Sequence, residues 1–179
     1  MNRLPEVMRI EGVRVYVHWS VFAITLLILL QAIQRPALSL VGLICYFGVL
    51  LIHESGHMVV ARRKGCHVDR IELYPIFGLT HFSNPWSEFD HQVIAWGGVI
   101  AQSVIAIPLM LWIAVFGYTK FEPLNAALVI LGYFSFGVAL FNLLPLPRLD
   151  GSIAWGIIPT LLRRGSRSRD KRPSWSSRR

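Results

Sequence analysis

Apolar residues fall into four long runs along the chain, and short polar or charged segments separate them. The runs lie near 17–33, 37–61, 92–116 and 124–144. A helix needs about 20 predominantly apolar residues to cross the hydrocarbon core of a bilayer. The pattern therefore predicts four transmembrane helices, which fill most of the chain.

The connection between the second and third runs has a different pattern. Residues from His67 to Pro75 alternate loosely between polar and apolar, and Gly78, Asn84 and Pro85 interrupt the next ten residues or so. This indicates short strands or a looped hairpin, with an ordinary cytosolic loop as the alternative. The predicted fold class is an all-α polytopic membrane protein of about four transmembrane helices, with a short membrane-associated β-hairpin or loop between helices two and three.

The chain after the fourth run is organised differently. Pro145 and Pro147 cannot continue an α-helix, so the chain must straighten or turn there. The segment 152–162 is apolar but too short to span a membrane, and we expect it to pack at the cytosolic interface. Residues 1–162 are predicted to form a single domain, and 163–179 a basic, disordered cytosolic tail. Binding of that tail to anionic lipid headgroups is its alternative role.

Composition and charge agree with a membrane protein and add an orientation. Hydrophobic residues make up 54% of the chain and charged residues 16%, against about 25% charged in soluble domains. All of the 18 Lys and Arg residues except Arg35 and Lys120 lie before the first run, between the second and third runs, or from Arg148 onward. Because Lys and Arg gather on the cytoplasmic side, both termini and the connection 62–90 should be cytosolic. The net charge of +8 is then a topology signal, and no nucleic-acid partner is expected.

The sharpest local signal is His53-Glu54-Ser55-Gly56-His57, which lies inside the second apolar run. Histidines four residues apart on a helix point to one face, so two imidazoles can bind a single zinc ion. The intervening glutamate is close enough to act as a general base on a water molecule at that ion. Ionisable groups in a lipid-facing helix are costly and usually mark function. The alternative is a helix end whose polar side chains merely reach the interface.

A two-histidine site needs a third protein ligand, and Asp150 is the best candidate. It follows the proline-broken end of helix four, and helices two and four both run towards the cytosol. The C-terminal parts of these two helices therefore lie at similar depth. The acids Glu72, Glu88 and Asp90 lie in the cytosolic connection and are weaker candidates. His81 could reach the site only if its loop folds inward.

These motifs resemble those of the site-2 protease family of intramembrane zinc metalloproteases. One is LIHESGH at 51–57, inside an apolar helix, and another is NLLPLPRLDG at 142–151, which is similar to the family's second motif. A third stretch, GVRVYVHWS at 12–20, is similar to the start of the first helix in small bacterial members. Together these stretches anchor most of 12–151.

Carried over residue by residue, the resemblance implies that His53, His57 and Asp150 are zinc ligands and that Glu54 is the base. It also implies that Asn142 helps to hold the substrate or to stabilise the oxyanion. The alternative for Asn142 is a structural hydrogen bond to the broken helix end.

The chain departs from the family pattern at three places. Gly78 stands alone where a Gly-Gly pair is common, and Arg148 replaces a residue that is commonly neutral. Trp96-Gly97-Gly98 stands where the family often has Ala-Gly-Pro at the start of the third helix. These departures leave the candidate metal ligands in place.

The resemblance implies an intramembrane zinc metalloendopeptidase with one Zn²⁺ per chain. It would hydrolyse a peptide bond within or near a transmembrane segment of a substrate protein, in regulated intramembrane proteolysis or in clearance of membrane remnants. The expected partners are a single-pass transmembrane substrate and the lipid bilayer. The expected setting is a prokaryotic plasma membrane, for a small member without appended soluble domains. Two alternatives stay open, which are a catalytically inactive membrane adaptor and a metal-handling membrane protein.

Overall fold

The computed structural model describes residues 5–83 and 85–170, with the backbone alone for 164–170. The strands are β1 (Glu6–Ile10), β2 (Val13–Val17), β3 (Val68–Leu73) and β4 (Gly78–Phe82). The helices are α1 (Trp19–Leu30), α2 (Pro36–Arg63), α3 (Glu88–Phe116), α4 (Glu122–Val129), α5 (Ser135–Asn142), α6 (Gly151–Ala154) and α7 (Ile157–Asp170). A 3₁₀ turn, Gln31–Ile33, follows α1, and a π-helical segment, Ile130–Phe134, joins α4 to α5.

Three helices in the described part of the chain are long and apolar enough to cross a membrane. They are Pro36–Arg63, Glu88–Phe116 and Glu122–Asn142, and they correspond to the second, third and fourth predicted runs. The chain is therefore a multi-pass membrane protein. The first predicted run forms a shorter apolar helix, Trp19–Ile33. The count of four spans accordingly stays a prediction.

The four strands form one sheet in the order β1-β2-β3-β4, which corrects the expectation of an all-α fold around a single hairpin. The N-terminal segment, for which no strand was predicted, forms β1 and β2. In β2 the side chains of Val13, Val15 and Val17 are buried in alternation, which is the period of a strand with one face in the core. Glu11 and Gly12 have φ values of +46° and +84°, as the tight turn of a two-residue hairpin requires.

The hairpin predicted between helices two and three is confirmed. β3 and β4 pair antiparallel, and β3 also pairs parallel with β2. At the hairpin tip, the Pro75 carbonyl accepts a hydrogen bond of 3.0 Å from the hydroxyl of Tyr46, which lies within α2. The tip therefore lies alongside a membrane-spanning helix, and β4 forms an edge of the sheet.

Helices α2 and α3 approach each other closely at a pair of glycines. A Cβ atom on Gly56 would collide with the carbonyl of Gly97, and one on Gly97 would lie 2.7 Å from the carbonyl oxygen of Gly56. Small residues allow such close packing of helices within a membrane. The contact presses one face of α3 onto the face of α2 that carries the histidine motif.

The C-terminal part contains two further helices. The segment 152–162, predicted to be interfacial, falls within α6, the turn after it and α7. α7 continues to Asp170, and the disordered cytosolic tail at 163–179 stays a prediction. The rest of the predicted tail, 171–179, lies outside the described residues.

Candidate metal centre

Helix α2 places the two predicted histidine ligands side by side. His53 and His57 are one helical turn apart, and both are buried. Their Nε2 atoms lie 3.1 Å apart. The spacing of four residues thus produces the shared face that it predicts.

The third predicted ligand comes from the proline-containing loop after α5. Asp150 Oδ2 lies 2.9 Å from His53 Nε2 and 3.2 Å from His57 Nε2. Two residues before it, Arg148 has a left-handed backbone with φ of +73°, a conformation that carries strain in a residue other than glycine. Within the described part of the chain, His53, His57 and Asp150 form a group close enough to share one metal ion.

The outer nitrogen of each imidazole has an acceptor on α3. His57 Nδ1 lies 2.8 Å from the carbonyl oxygen of Ile94, and His53 Nδ1 lies 2.8 Å from Oε1 of Gln102. Because a carbonyl oxygen can only accept a hydrogen bond, each Nδ1 carries the hydrogen. In the neutral rings, both Nε2 atoms then direct lone pairs towards each other and towards the Asp150 carboxylate.

This convergence of lone pairs requires a positive charge at its centre. Protonated imidazoles can supply that charge. Burial would raise the pKa of Asp150, but hydrogen bonds and charge from His53 and His57 in their protonated form outweigh burial and hold that pKa below its ordinary value. With neutral rings a bound cation would supply the charge instead, and Asp150 would face it as a carboxylate. One proton can bridge two of the three atoms, whereas one metal ion can bind all three.

The donor set and its spacing fit zinc. Tetrahedral zinc with bonds of about 2.0–2.1 Å holds its ligand atoms roughly 3.3 Å apart, and the three atoms here lie 2.9 to 3.2 Å apart. Gly98 on α3 leaves room beside them, because a Cβ atom there would lie 2.5 Å from His57 Nε2 and 2.7 Å from His53 Nε2. Two imidazoles and one carboxylate leave a fourth position open, as catalytic zinc sites do.

Glu54 is fully buried next to the histidines. Its Oε2 accepts a hydrogen bond of 2.6 Å from the hydroxyl of Thr80 on β4. Its Oε1 has no hydrogen-bond partner among the described residues. A Cβ atom on Gly78 would collide with this carboxylate, so β4 can lie against Glu54 only because that position is glycine. The site therefore contains one carboxylate oxygen that is held in place and one that is free to accept a proton.

A cavity of about 390 Å³ adjoins these residues. It is lined by β4 on Gly78–Phe82, by the loop residues from Arg148 to Asp150, and by Glu54 and His57. This volume is in the range of ligand-binding clefts. The cavity therefore offers space for a peptide segment beside both the candidate metal ligands and the candidate base.

Asn142 does not line this cavity in the described structure. It is buried at the end of α5, and its Nδ2 donates a hydrogen bond of 3.0 Å to the carbonyl of Val138, one turn earlier in the same helix. This contact is a structural hydrogen bond at the end of the helix, the alternative to a catalytic role. A role in holding substrate or stabilising the oxyanion stays a prediction, and it would require the amide to leave that carbonyl.

The weaker candidate ligands lie outside the group: Glu88 is exposed, and Glu72 and Asp90 have other partners. Glu72 accepts hydrogen bonds from Arg70 and Tyr74, and its Oε1 lies 3.2 Å from His81 Nε2. Asp90 forms an ion pair of 2.8 Å with Lys64. His81 lies on β4 and lines the cavity, but it is not in the group around Asp150.

Two polar residues of the site, Thr80 and Gln102, are not predicted from the sequence. Gln102 could have been noticed as an amide inside an otherwise apolar run, since polar groups at membrane depth often mark function. Thr80 lacks any such signal, because a threonine in a strand is ordinary. Only the folded chain brings these two side chains to the motif on α2.

The fold and the site together define a multi-pass membrane protein with a candidate zinc centre in its helical bundle. No family model matches the chain. The chain is similar to a protein of Synechocystis sp. named "Putative zinc metalloprotease", with 29% identity over 180 residues. That match covers 88% of this chain, but the chain spans only 46% of the length of the relative.

Among solved structures, the chain is similar to the site-2 protease from Methanocaldococcus jannaschii. The TM-score is 0.70 and the sequence identity 24%, over 90% of this chain and 73% of the other. At this identity the match establishes the fold, which is that of this site-2 protease. The resemblance drawn from the motifs is thereby confirmed at the level of the fold.

Proposed function

We propose that this chain is a member of the site-2 protease family and acts as an intramembrane zinc metalloendopeptidase. The observation that carries the proposal is the meeting of His53, His57 and Asp150 around one point in a membrane protein, beside the buried carboxylate of Glu54. The likeness of fold to a site-2 protease and the name of the Synechocystis relative support it.

In this proposal His53, His57 and Asp150 hold one Zn²⁺ per chain. When bound, zinc polarises the scissile carbonyl and lowers the pKa of water at the site. Glu54 accepts a proton from the attacking water through Oε1 and then passes it to the leaving amine. Thr80 binds the other oxygen of Glu54 and so fixes the orientation of this base.

We further propose that β4 binds the substrate as an additional strand. β4 is an edge of the sheet, and its residues line the cavity beside Glu54. A transmembrane helix hides its carbonyl groups in its own hydrogen bonds, so a substrate must unwind locally before it can be cleaved. Pairing with an edge strand would hold the unwound segment extended next to the metal centre.

Backbone methylation of a peptide substrate tests this pairing. Methyl groups on every second amide near the scissile bond should lower kcat/KM by about fivefold each, since each removes one strand hydrogen bond of about 1 kcal/mol. The intervening amides point away from β4, and their methylation should have little effect. The measurement is cleavage of a series of peptides, each methylated at one position. Equal effects at all positions would contradict strand addition.

The depth of the site agrees with access from the cytosol. His57 precedes Arg62 and Arg63, the basic residues in the last turn of α2, by roughly 8 Å along the helix axis. Arginines of this kind mark the cytosolic end of a membrane helix, so water has a short path to the metal centre. We propose that both termini are cytosolic, that the membrane is a prokaryotic plasma membrane, and that the substrate is a single-pass transmembrane protein.

The direct test of function is cleavage of a model transmembrane peptide by the purified protein in lipid vesicles. We expect hydrolysis within or near the membrane segment, its loss with a zinc chelator, and its return when zinc is restored. Binding of the peptide without cleavage would indicate an inactive adaptor. Zinc movement across the vesicle membrane without cleavage would indicate a metal-handling protein. Either of these outcomes would overturn the proposal.

A further inference from the structure

Gln102 is a fully buried polar side chain within the membrane-spanning part of α3, with 0% of its surface exposed. Burying an amide in an apolar environment costs free energy unless it is hydrogen-bonded. Both ends of this amide face polar atoms of α2. Its Oε1 lies 2.8 Å from His53 Nδ1, and its Nε2 donates a longer hydrogen bond of 3.5 Å to the carbonyl of Val49.

The second contact determines which way the amide points. The carbonyl of Val49 can only accept a hydrogen bond, so it favours the NH₂ end of Gln102. The oxygen end is then left for His53, whose Nδ1 must carry the hydrogen. His53 Nε2 consequently keeps its lone pair, which is directed at Asp150 Oδ2 at a distance of 2.9 Å.

The hydrogen-bond acceptors of the two histidine Nδ1 atoms differ in kind. The partner of His57 Nδ1 is the backbone carbonyl of Ile94, which no side-chain substitution removes. The partner of His53 Nδ1 is the side chain of Gln102, which, like Ile94, lies on α3. Because α2 and α3 are in close contact at Gly56 and Gly97, α3 is held at the right distance to supply both partners. The orientation of His53 therefore depends on one replaceable residue.

We propose that Gln102 is a positioning residue for His53. It holds the ring in the orientation and tautomer that metal binding requires, and it thereby raises the zinc affinity of the site. The proposal rests on the proposed function in so far as His53 must be a zinc ligand. Hydrogen-bond partners behind a metal-binding histidine typically change metal affinity by about 10- to 100-fold when they are removed.

The experiment compares zinc affinities by chelator competition in the purified full-length protein. Gln102→Met has a similar length but cannot accept a hydrogen bond from His53, whereas Gln102→Glu keeps an acceptor oxygen. Gln102→Leu is measured in parallel, so that the comparison does not depend on one variant folding. Gln92→Met is the matched control, because Gln92 is also buried on α3 but lies outside the ligand group.

We expect Gln102→Met and Gln102→Leu to bind zinc about 10- to 100-fold more weakly than the unaltered protein. Gln102→Glu and Gln92→Met should stay within a few-fold of it. Zinc binding by Gln102→Met and Gln102→Leu as tight as in the unaltered protein would overturn the proposal. An equal loss in Gln102→Glu would also overturn it, since the acceptor would then not matter. If the unaltered protein itself bound no zinc, all variants would be alike, and the proposed function would fail together with this inference.

Discussion

Replacing Glu54 with glutamine is expected to lower peptide-bond cleavage by about 10²- to 10⁴-fold while one zinc ion per chain stays bound. Glutamine has the same shape, and its amide oxygen can still accept the hydrogen bond that Thr80 donates to Oε2 in the native protein. The substitution also removes a buried negative charge, so it should not destabilise the fold. What is lost is the ability to accept a proton from the attacking water.

The measurement pairs single-turnover cleavage of a transmembrane peptide with elemental analysis of the same preparation. Glu88→Gln is a suitable control, because Glu88 is exposed at the start of α3 and lies outside the cavity. Its activity and zinc content should both be unchanged. Undiminished cleavage by purified Glu54→Gln would remove this residue from its proposed role. Loss of zinc in the same variant would assign it to metal binding instead.

Asp150→Ala is expected to lose bound zinc. The substitution removes one of the three proposed zinc ligands and also the negative charge that faces His53 and His57 at 2.9 and 3.2 Å. Removing the hydrogen-bond partner of a metal ligand weakens zinc binding by about 10- to 100-fold. Removing the ligand itself should therefore weaken zinc binding by more than about 100-fold. Dialysis against a weak chelator, followed by elemental analysis, should leave the variant without metal and the native protein loaded.

Asp69→Ala provides the comparison for this second variant, because Asp69 is an exposed carboxylate on β3 that lies outside the ligand group. It should retain its zinc. If Asp150→Ala also kept a full equivalent of zinc, the third ligand would have to be sought among the acids of the segment 62–90.

The parts of the fold that the sequence predicts well are those governed by the membrane. Three of the long apolar runs form long apolar helices in the structure. In lipid a single segment can satisfy its backbone hydrogen bonds internally by forming a helix. Strands β1 and β2 are harder to predict, since the alternation of polar and apolar residues covers only a few positions on each side of Glu11 and Gly12. A short alternating segment next to an apolar run is hard to distinguish from the start of a helix.

The candidate site divides in the same way. His53, Glu54 and His57 follow from spacing on one helix, and Asp150 follows from matching the depth of two helix ends. Thr80 contacts Glu54, which is 26 positions away in the sequence, and Gln102 contacts His53, which is 49 positions away. Such contacts depend on how the sheet and α3 pack against α2, which no local pattern encodes.

The glycine contact between α2 and α3 also restricts how the protein could move. This contact has no room for a methyl group, so rotation or sliding that brought a larger side chain to it would produce a clash. Helix α2, which carries the histidine motif, and its neighbour α3 should thus behave as one rigid half of the protein. Any gate that admits a substrate sideways from the lipid must open at a different boundary, such as that of the sheet or of the short first helix.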